Sequence, residues 1–221
     1  MEPTENIHGI IFDCYKTLLD TKVKESKSAY KKTSKWLLYQ GVDITFKELR
    51  DEYLDKIQTH LKWSIYKHPE IRVENIFTEI CSEYAIWDID EKQMGIETAK
   101  AFRSFSIKKL TLYKDSLKLL DKFDDIPKCI ISNGQRVFSE PELVILGLYG
   151  YFNFLIFSSD FGYKKPDTRL FQTAAERMNL KPEYILSIGD KTKNDIHAPQ
   201  KIGMKTMHIK DAWDKFLNSD S

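Results

Sequence analysis

The stretch from Ile10 to Asp13 constrains the fold more than any other part of this chain. The apolar residues Ile10, Ile11 and Phe12 follow one another and end directly at the carboxylate of Asp13. A short apolar run without polar alternation is typical of a strand that is buried on both faces of a parallel sheet. Ligands of such sheets bind beyond the carboxyl ends of the strands. Asp13 is therefore a candidate functional residue, provided that later strands bring partners to it.

The second half of the chain alternates between similar apolar runs and segments with helical spacing. Strands are predicted at residues 128–132, 154–157, 184–188 and 205–209, and helices at 115–123, 140–148, 167–178 and 194–202, with an irregular tail over 214–221. Repeated alternation of strand and helix predicts an α/β fold, a Rossmann-like parallel sheet with right-handed crossovers.

Between the first strand and this region, four amphipathic stripes follow one another from about residue 19 to residue 109. The first predicted helix ends near Gly41, and Thr45 is the predicted N-cap of the second. The sequence therefore predicts two domains: a core formed by residues 1–18 and 110–221, and a helical domain of residues 19–109 inserted after the first strand.

The overall charge of the chain does not indicate a strongly charged partner. The formal net charge is +1, which gives no reason to expect a nucleic acid as partner. The Lys-rich stretches at residues 22–35 and 108–114 contain acidic and apolar residues as well, and we interpret them as solvated helix faces. The sequence indicates a small-molecule substrate and specifies no oligomeric state.

The sequence contains no apolar run that is long enough to span a bilayer, so no membrane partner is expected. Its first five residues are acidic and polar, which argues against a secretory signal. The three cysteines, Cys14, Cys81 and Cys129, lack the spacing of a metal site. We expect reduced thiols and a cytoplasmic protein.

Four polar motifs follow the predicted strands. In chain order they are Asp13-x-Tyr15-x-Thr17, Ser132-Asn133-Gly134, Lys165-Pro166-Asp167 and Gly189-Asp190-x-x-x-Asn194-Asp195. This ordered set resembles the four motifs of the haloacid dehalogenase (HAD) superfamily of hydrolases. The position and character of the helical insertion resemble the cap domain of that family. The resemblance implies a hydrolase that uses an aspartate nucleophile, with a cap that closes over the strand-end cleft.

Three of the motif residues are carboxylates that converge on one edge of the predicted sheet. Asp13, Asp190 and Asp195 would repel one another there, and the repulsion would raise their pKa values. A hard divalent cation removes this penalty, and Mg²⁺ suits oxygen ligands that are shared with a phosphate. The resemblance adds the backbone carbonyl of Tyr15 as a further metal ligand.

The resemblance also assigns catalytic roles. Asp13 is the predicted nucleophile, which attacks phosphorus to give an aspartyl-phosphate that water hydrolyses. Ser132 and the backbone N–H groups of Asn133 and Gly134 are predicted to hold the oxygens of the transferred group. Lys165 is predicted to neutralise the charge of nucleophile and phosphate. The predicted activity is Mg²⁺-dependent hydrolysis of a small phosphate ester.

The first motif departs from the pattern of the family's phosphatases. They carry a second Asp two residues after the nucleophile, which protonates the leaving group; this chain has Tyr15. Tyrosine, with a reference pKa of about 10, is a poor base at neutral pH. Either water or a cap residue then supplies the proton, or the substrate has a leaving group that departs without protonation. Lys16 replaces the usual Gly, and Thr17 is predicted to support the loop through a hydrogen bond.

An Asp-x-Tyr first motif also resembles the 2-haloacid dehalogenases, whose Asp attacks carbon and displaces halide without a metal. The acidic fourth motif argues against this alternative, because dehalogenases carry a Ser/Asn loop there. Their active-site tyrosine falls on Phe171 here, and their cap arginine has Arg50 as its nearest candidate. The sequence thus favours the phosphate hydrolase. A third alternative is a catalytically weak member that binds a ligand or partner without turnover.

Overall fold

A parallel sheet lies at the centre of the protein in the structure, a computed structural model that describes residues 6–217. The strands are β1 (Gly9–Phe12), β2 (Leu19–Val23), β3 (Ile107–Leu112), β4 (Lys128–Ser132), β5 (Phe154–Phe157), β6 (Ile185–Gly189) and β7 (Lys205–His208). The helices are α1 (Lys27–Tyr39), α2 (Phe46–Lys62), α3 (Val73–Tyr84), α4 (Glu91–Ser106), α5 (Ser116–Asp121), α6 (Arg136–Ile145), α7 (Arg169–Met178), α8 (Ala198–Gln200) and α9 (Ile209–Leu217).

The central sheet has the strand order β5-β4-β1-β6-β7, with all neighbours parallel. Ile10 and Phe12 of β1 belong to the apolar cluster on one face, and Ile11 belongs to the cluster on the other face. Both faces are therefore covered, as the unbroken apolar run predicts. The predicted α/β class is confirmed.

A two-stranded antiparallel ribbon of β2 and β3 connects the sheet with the inserted helices. The prediction that the inserted residues 19–109 are helical from their first residue is wrong here, because residues Leu19–Val23 form a strand. The interpretation of residues 108–114 as a helix face is also wrong, since most of this stretch lies in β3. Its lysines are exposed, as expected, but on a strand. The proposed division into two domains places its boundaries within or beside this ribbon.

Helices α1 to α4, called the helical insert below, have an apolar cluster of their own. Tyr53 is central to this cluster: its ring lies 5.1 Å from that of Phe77 and 5.3 Å from that of Phe102. Thr45 caps α2 in a capping box with Glu48, which confirms the predicted N-cap. The four predicted helical stripes correspond to these four helices.

The segment between α2 and α3 attaches the helical insert to the core. The backbone N–H of Glu70 donates to the carbonyl of Gly162 at 2.9 Å, and the N–H of Lys164 donates to the carbonyl of His68 at 2.9 Å. Arg72 adds a hydrogen bond from its side chain to the carbonyl of Ser159 at 3.1 Å. The insert is thereby held beside the carboxyl edge of the central sheet.

The C-terminal part differs from the sequence prediction in two places. Residues 192–197 form a wide π-helical turn before the short helix α8, where one longer helix was predicted. Helix α9 includes residues 214–217 of the predicted irregular tail, and residues 218–221 of that tail lie outside the described part of the chain. No helix within residues 6–217 has both the length and the apolar character needed to cross a membrane.

Candidate active site

The four predicted motifs meet at the carboxyl edge of the central sheet. Asp13 follows β1, which lies between β4 and β6, so that Ser132 and Asp190 are placed on either side of it. A cavity of about 130 Å³ opens here. It is lined by Asp13, Tyr15, Lys16, Ser132, Asn133, Lys165, Asp190, Lys191, Asn194 and Asp195. All of these belong to the predicted core, and they include the predicted site residues apart from Thr17 and Gly134.

The Asp13 carboxylate is fixed by two hydrogen bonds. Thr17 donates its hydroxyl to Oδ2 at 3.0 Å, and Lys165 donates to Oδ1 at 2.7 Å. Burial raises the pKa of Asp13, the Lys165 ammonium opposes that rise, and the charge of Asp195 adds to it. Thr17 is fully buried and begins no helix, so its hydroxyl serves the hydrogen bond to Asp13.

Lys165 joins two carboxylates that would otherwise repel each other. Its buried ammonium donates to Asp13, to Asp195 Oδ1 at 2.6 Å and to the carbonyl of Ile131 at 2.7 Å. The side chain of Asn133 donates to the carbonyl of Lys165 at 3.0 Å and accepts from its N–H at 2.8 Å. Asn133 therefore fixes the backbone that carries the lysine.

Ser132 is buried at the end of β4 and organises the turn that follows. Its Oγ accepts a hydrogen bond from the N–H of Gly134 at 3.0 Å. This N–H, predicted to bind the transferred group, is thus engaged with Ser132 in the structure. The turn itself is held in place at the cavity wall.

The carboxylates of Asp13, Asp190 and Asp195 each offer an oxygen within 4.8 Å of the others. Asp195 is buried, and its Oδ2 accepts from the N–H of Lys191 at 2.9 Å. The Asp190 carboxylate has no hydrogen-bond donor among the residues that the structure describes. Burial and the charge of Asp13 raise the pKa of Asp190. This acidic cluster can hold a metal ion.

Gly189 permits the close approach of Asp195 to the end of β6. A Cβ at position 189 would lie 2.5 Å from both the Cβ and the Cγ of Asp195. Such distances do not occur between real carbon atoms in contact, so any larger residue would displace the carboxylate. The glycine that opens the fourth motif is therefore required by its close contact with Asp195.

The Tyr15 hydroxyl donates to Glu142 Oε2 at 2.7 Å and lies 2.9 Å from Ser139 Oγ. Burial raises the pKa of the Tyr15 phenol, and the nearby Cys14 and Glu142 add to the rise. The hydroxyl stays protonated and is directed at Glu142. Tyr15 is thus no substitute for an acid/base Asp.

Sequence reasoning missed Glu142 and its partner Arg103. The signal was present for Glu142, since Ser139, Glu142 and Leu143 have the spacing of one buried helix face. A charged residue on such a face needs a partner, because buried charges are paired. The identity of that partner, 39 residues away in α4, follows only from the tertiary structure.

Lys16 adopts the backbone conformation for which the family's usual glycine is suited. Its φ angle is +64°, in the left-handed region that ordinary side chains disfavour. The loop thus keeps its shape, and the exposed Lys16 side chain lines the cavity together with Lys191. These two cations were not predicted as site residues.

Arg50 and Phe171, the two positions considered for a dehalogenase, lie elsewhere. Arg50 is exposed on α2, where it pairs with Asp51 and lines a separate groove of the helical insert. Phe171 is buried in the core cluster under the sheet. Neither residue lines the cavity at Asp13.

The structure combines an α/β fold with a cluster of polar side chains around an aspartate that follows the central strand β1. Residues 10–209 match the sequence model of the family described as haloacid dehalogenase-like hydrolase. The chain therefore belongs to that family, and it is a hydrolase.

Among curated relatives, the chain is similar to glyceraldehyde 3-phosphate phosphatase of Methanocaldococcus jannaschii, with 26% identity over 205 residues, 92% of this chain and 85% of that protein. Matches to two further archaeal phosphatases span about a third of the length of those proteins.

Two solved structures share the fold. One is a 2-haloacid dehalogenase from Pseudomonas syringae, with a TM-score of 0.64 and 20% identity over 90% of this chain and 85% of that chain. The other is a HAD phosphatase from Thermococcus onnurineus, with a TM-score of 0.55 and 21% identity over 90% of this chain and 85% of that chain. At these identities the likeness concerns the fold and does not distinguish the two chemistries.

Proposed function

We propose that this protein hydrolyses a small phosphate ester in a Mg²⁺-dependent reaction, with Asp13 as the nucleophile. The observation that carries the proposal is the environment of Asp13: a buried lysine at 2.7 Å and two further carboxylates whose oxygens lie within 4.8 Å. The similarity to an archaeal phosphatase over 92% of the chain supports it.

The reaction begins when an oxygen of Asp13 forms a bond to phosphorus and the bond from phosphorus to the ester oxygen breaks. The alcohol leaves with a proton taken from solvent, and an aspartyl-phosphate remains. Water then attacks phosphorus and loses a proton to solvent, the acyl-phosphate bond breaks, inorganic phosphate leaves, and the Asp13 carboxylate is regenerated. Lys165 orients the attacking carboxylate and neutralises negative charge near phosphorus, and Ser132 contacts the transferred oxygens.

The acidic cluster fits Mg²⁺ as the cofactor. Its donor set consists of carboxylate oxygens, which Mg²⁺ prefers. Asp190 supports this fit in particular, because its partly buried carboxylate lacks a donor among the described residues. Asp13, Asp190 and Asp195 would hold the ion, together with the backbone carbonyl of Tyr15. When bound, the ion supplies positive charge that lowers the repulsion between nucleophile and phosphate.

The orientation of Tyr15 limits the range of leaving groups. Because its hydroxyl donates to Glu142, it delivers no proton to the departing oxygen. The enzyme therefore favours esters whose alcohol is acidic, and we expect a higher kcat/KM for para-nitrophenyl phosphate than for glycerol phosphate.

The test is release of inorganic phosphate from a panel of aryl, acyl and alkyl phosphates, with Mg²⁺ or with EDTA. We expect release that requires Mg²⁺ and is lost in Asp13→Asn. The matched control is Asp20→Asn, which removes a carboxylate that pairs with Lys109 in the β2–β3 ribbon. Equal activity of wild type and Asp13→Asn would refute the proposal. Chelator-insensitive chloride release from 2-chloropropionate would instead indicate a dehalogenase, and inactivity with every ester a binding protein.

A further inference from the structure

Tyr15 belongs to a polar network that joins the first motif to the helical insert. Glu142 on α6 accepts the Tyr15 hydroxyl through Oε2. The same carboxylate accepts two hydrogen bonds from Arg103 on α4, at 2.6 Å to Oε1 and 3.2 Å to Oε2. One carboxylate thus binds a residue of the insert and a residue of the nucleophile loop.

The Arg103–Glu142 ion pair is largely removed from solvent. The side chain of Arg103 is 17% exposed and that of Glu142 is 6% exposed. The guanidinium also lies 5.2 Å from the centre of the Phe138 ring and 5.8 Å from that of Tyr15. A paired guanidinium and carboxylate in this geometry restrict each other's orientation strongly, because both hydrogen bonds are lost together when either side chain turns.

The ring of Tyr15 transmits this order to the second motif. A Cβ at Gly134 would lie 2.8 Å from Tyr15 Cε2 and 2.3 Å from Ser139 Oγ. The Tyr15 ring and the Ser139 hydroxyl therefore pack directly against the backbone of Gly134. The N–H of Gly134 donates to Ser132 Oγ at 3.0 Å. The contacts thus run from the insert through Glu142 and Tyr15 to the turn that begins at Ser132.

We propose that Arg103 and Glu142 are positioning residues: they hold the Tyr15 ring against Gly134 and so make the geometry of the Ser132–Gly134 turn depend on the docked helical insert. Tyr15 then acts by packing against the phosphate-binding turn and does not serve as an acid or a base. The catalytic consequence rests on the proposed function, because the turn matters for turnover only if it contacts the transferred group. The ordering of the turn by the Arg103–Glu142 pair does not depend on the proposed function.

The test replaces the ion pair by apolar residues of similar size, in the double variant Arg103→Met with Glu142→Leu. Loss of one partner would leave a buried charge, whereas replacement of both preserves packing and frequently preserves stability. The matched control is Lys56→Met with Glu83→Leu, which removes an ion pair within the insert that is remote from Tyr15. Tyr15→Phe is a second variant that keeps the ion pair and the ring but removes the hydrogen bond to Glu142.

Two readouts are compared. Hydrogen exchange of the backbone amides of residues 13–19 and 132–135 reports order in the two loops without substrate. Steady-state kinetics with para-nitrophenyl phosphate and Mg²⁺ reports the consequence for catalysis. We expect faster exchange in both segments and a kcat that falls about 10- to 100-fold with a smaller change in KM, since misplacement near the reacting atoms costs about this much. Tyr15→Phe should change both readouts in the same direction.

Unchanged exchange and unchanged kcat in the double variant or in Tyr15→Phe, when the variant is folded, would overturn the proposal. An equal effect of the Lys56/Glu83 control would overturn it too, because the ion pair would then act only through general stability. If wild type releases no phosphate, the proposed function fails, and the exchange measurement still decides whether Arg103 and Glu142 order the loops.

Discussion

Replacing Lys165 with methionine removes one ammonium from three acceptors and keeps an unbranched side chain of comparable length. The ammonium compensates Asp13 and Asp195, at 2.7 and 2.6 Å, and its side chain is only 3% exposed. Removal of one partner of a buried ion pair costs about 3–5 kcal/mol, since it leaves charge in a poorly solvated place. We therefore expect Lys165→Met to lower the free energy of unfolding by about that amount.

For a chain of this size each kcal/mol corresponds to a shift of about 2–4 °C in Tm, so the variant should melt roughly 6–20 °C below wild type in EDTA. Mg²⁺ should recover part of the loss, because the ion would neutralise the same carboxylates that the lysine neutralised. Circular dichroism melts of both proteins, with and without Mg²⁺, measure this directly.

Lys100→Met is the matched control for Lys165→Met. It breaks an exposed pair with Glu97, in which the side chains are 48% and 43% exposed, and such pairs contribute at most about 1 kcal/mol. If Lys165→Met melted within about 2 °C of wild type in EDTA, the reasoning would be refuted. Asp13 and Asp195 would then not depend on the lysine for compensation.

Three further predictions concern the same edge of the sheet. Gly189→Ala should displace Asp195 and reduce Mg²⁺ affinity measured by calorimetry, and an unchanged affinity would contradict the steric argument. Asp190→Asn should weaken Mg²⁺ binding and leave Tm nearly unchanged, because the Asp190 carboxylate has no hydrogen-bond donor among the described residues. A large decrease in Tm with unchanged Mg²⁺ affinity would instead indicate a structural role for Asp190. Lys16→Gly should raise the free energy of unfolding by about 1 kcal/mol in urea titrations, since φ is +64° at this position, and a loss of stability would contradict that explanation.

The strands of the central sheet were predictable because burial on both faces gives an unbroken apolar run. Residues 154–157 were predicted with the observed bounds, and residues 128–132 likewise. The β2–β3 ribbon was missed because Leu19–Val23 alternates apolar and polar residues only weakly and pairs with β3 alone. A strand in which Leu19 alone is buried leaves little periodicity in the sequence.

The candidate site, like the fold, was predictable from the sequence only in part. Asp13 and Asp190 directly follow strands and Ser132 ends one, so the convergence of these three residues follows from the order of the strands. The direction of the Tyr15 hydroxyl could not be found in this way, because it depends on Glu142 of α6 and, through it, on Arg103 of α4. The pairing of Asn133 with the backbone of Lys165 is likewise tertiary.

The most direct test of the central claim is to look for the phosphoryl group on Asp13. Wild type mixed with para-nitrophenyl phosphate and Mg²⁺, quenched in acid during turnover and digested, should yield a peptide that carries one phosphoryl group at Asp13. Borohydride reduction of the same sample should convert Asp13, and no other aspartate, to homoserine. We expect this adduct in wild type and its absence in Asp13→Asn. Steady phosphate release with no adduct at Asp13, or with the adduct at another residue, would contradict it.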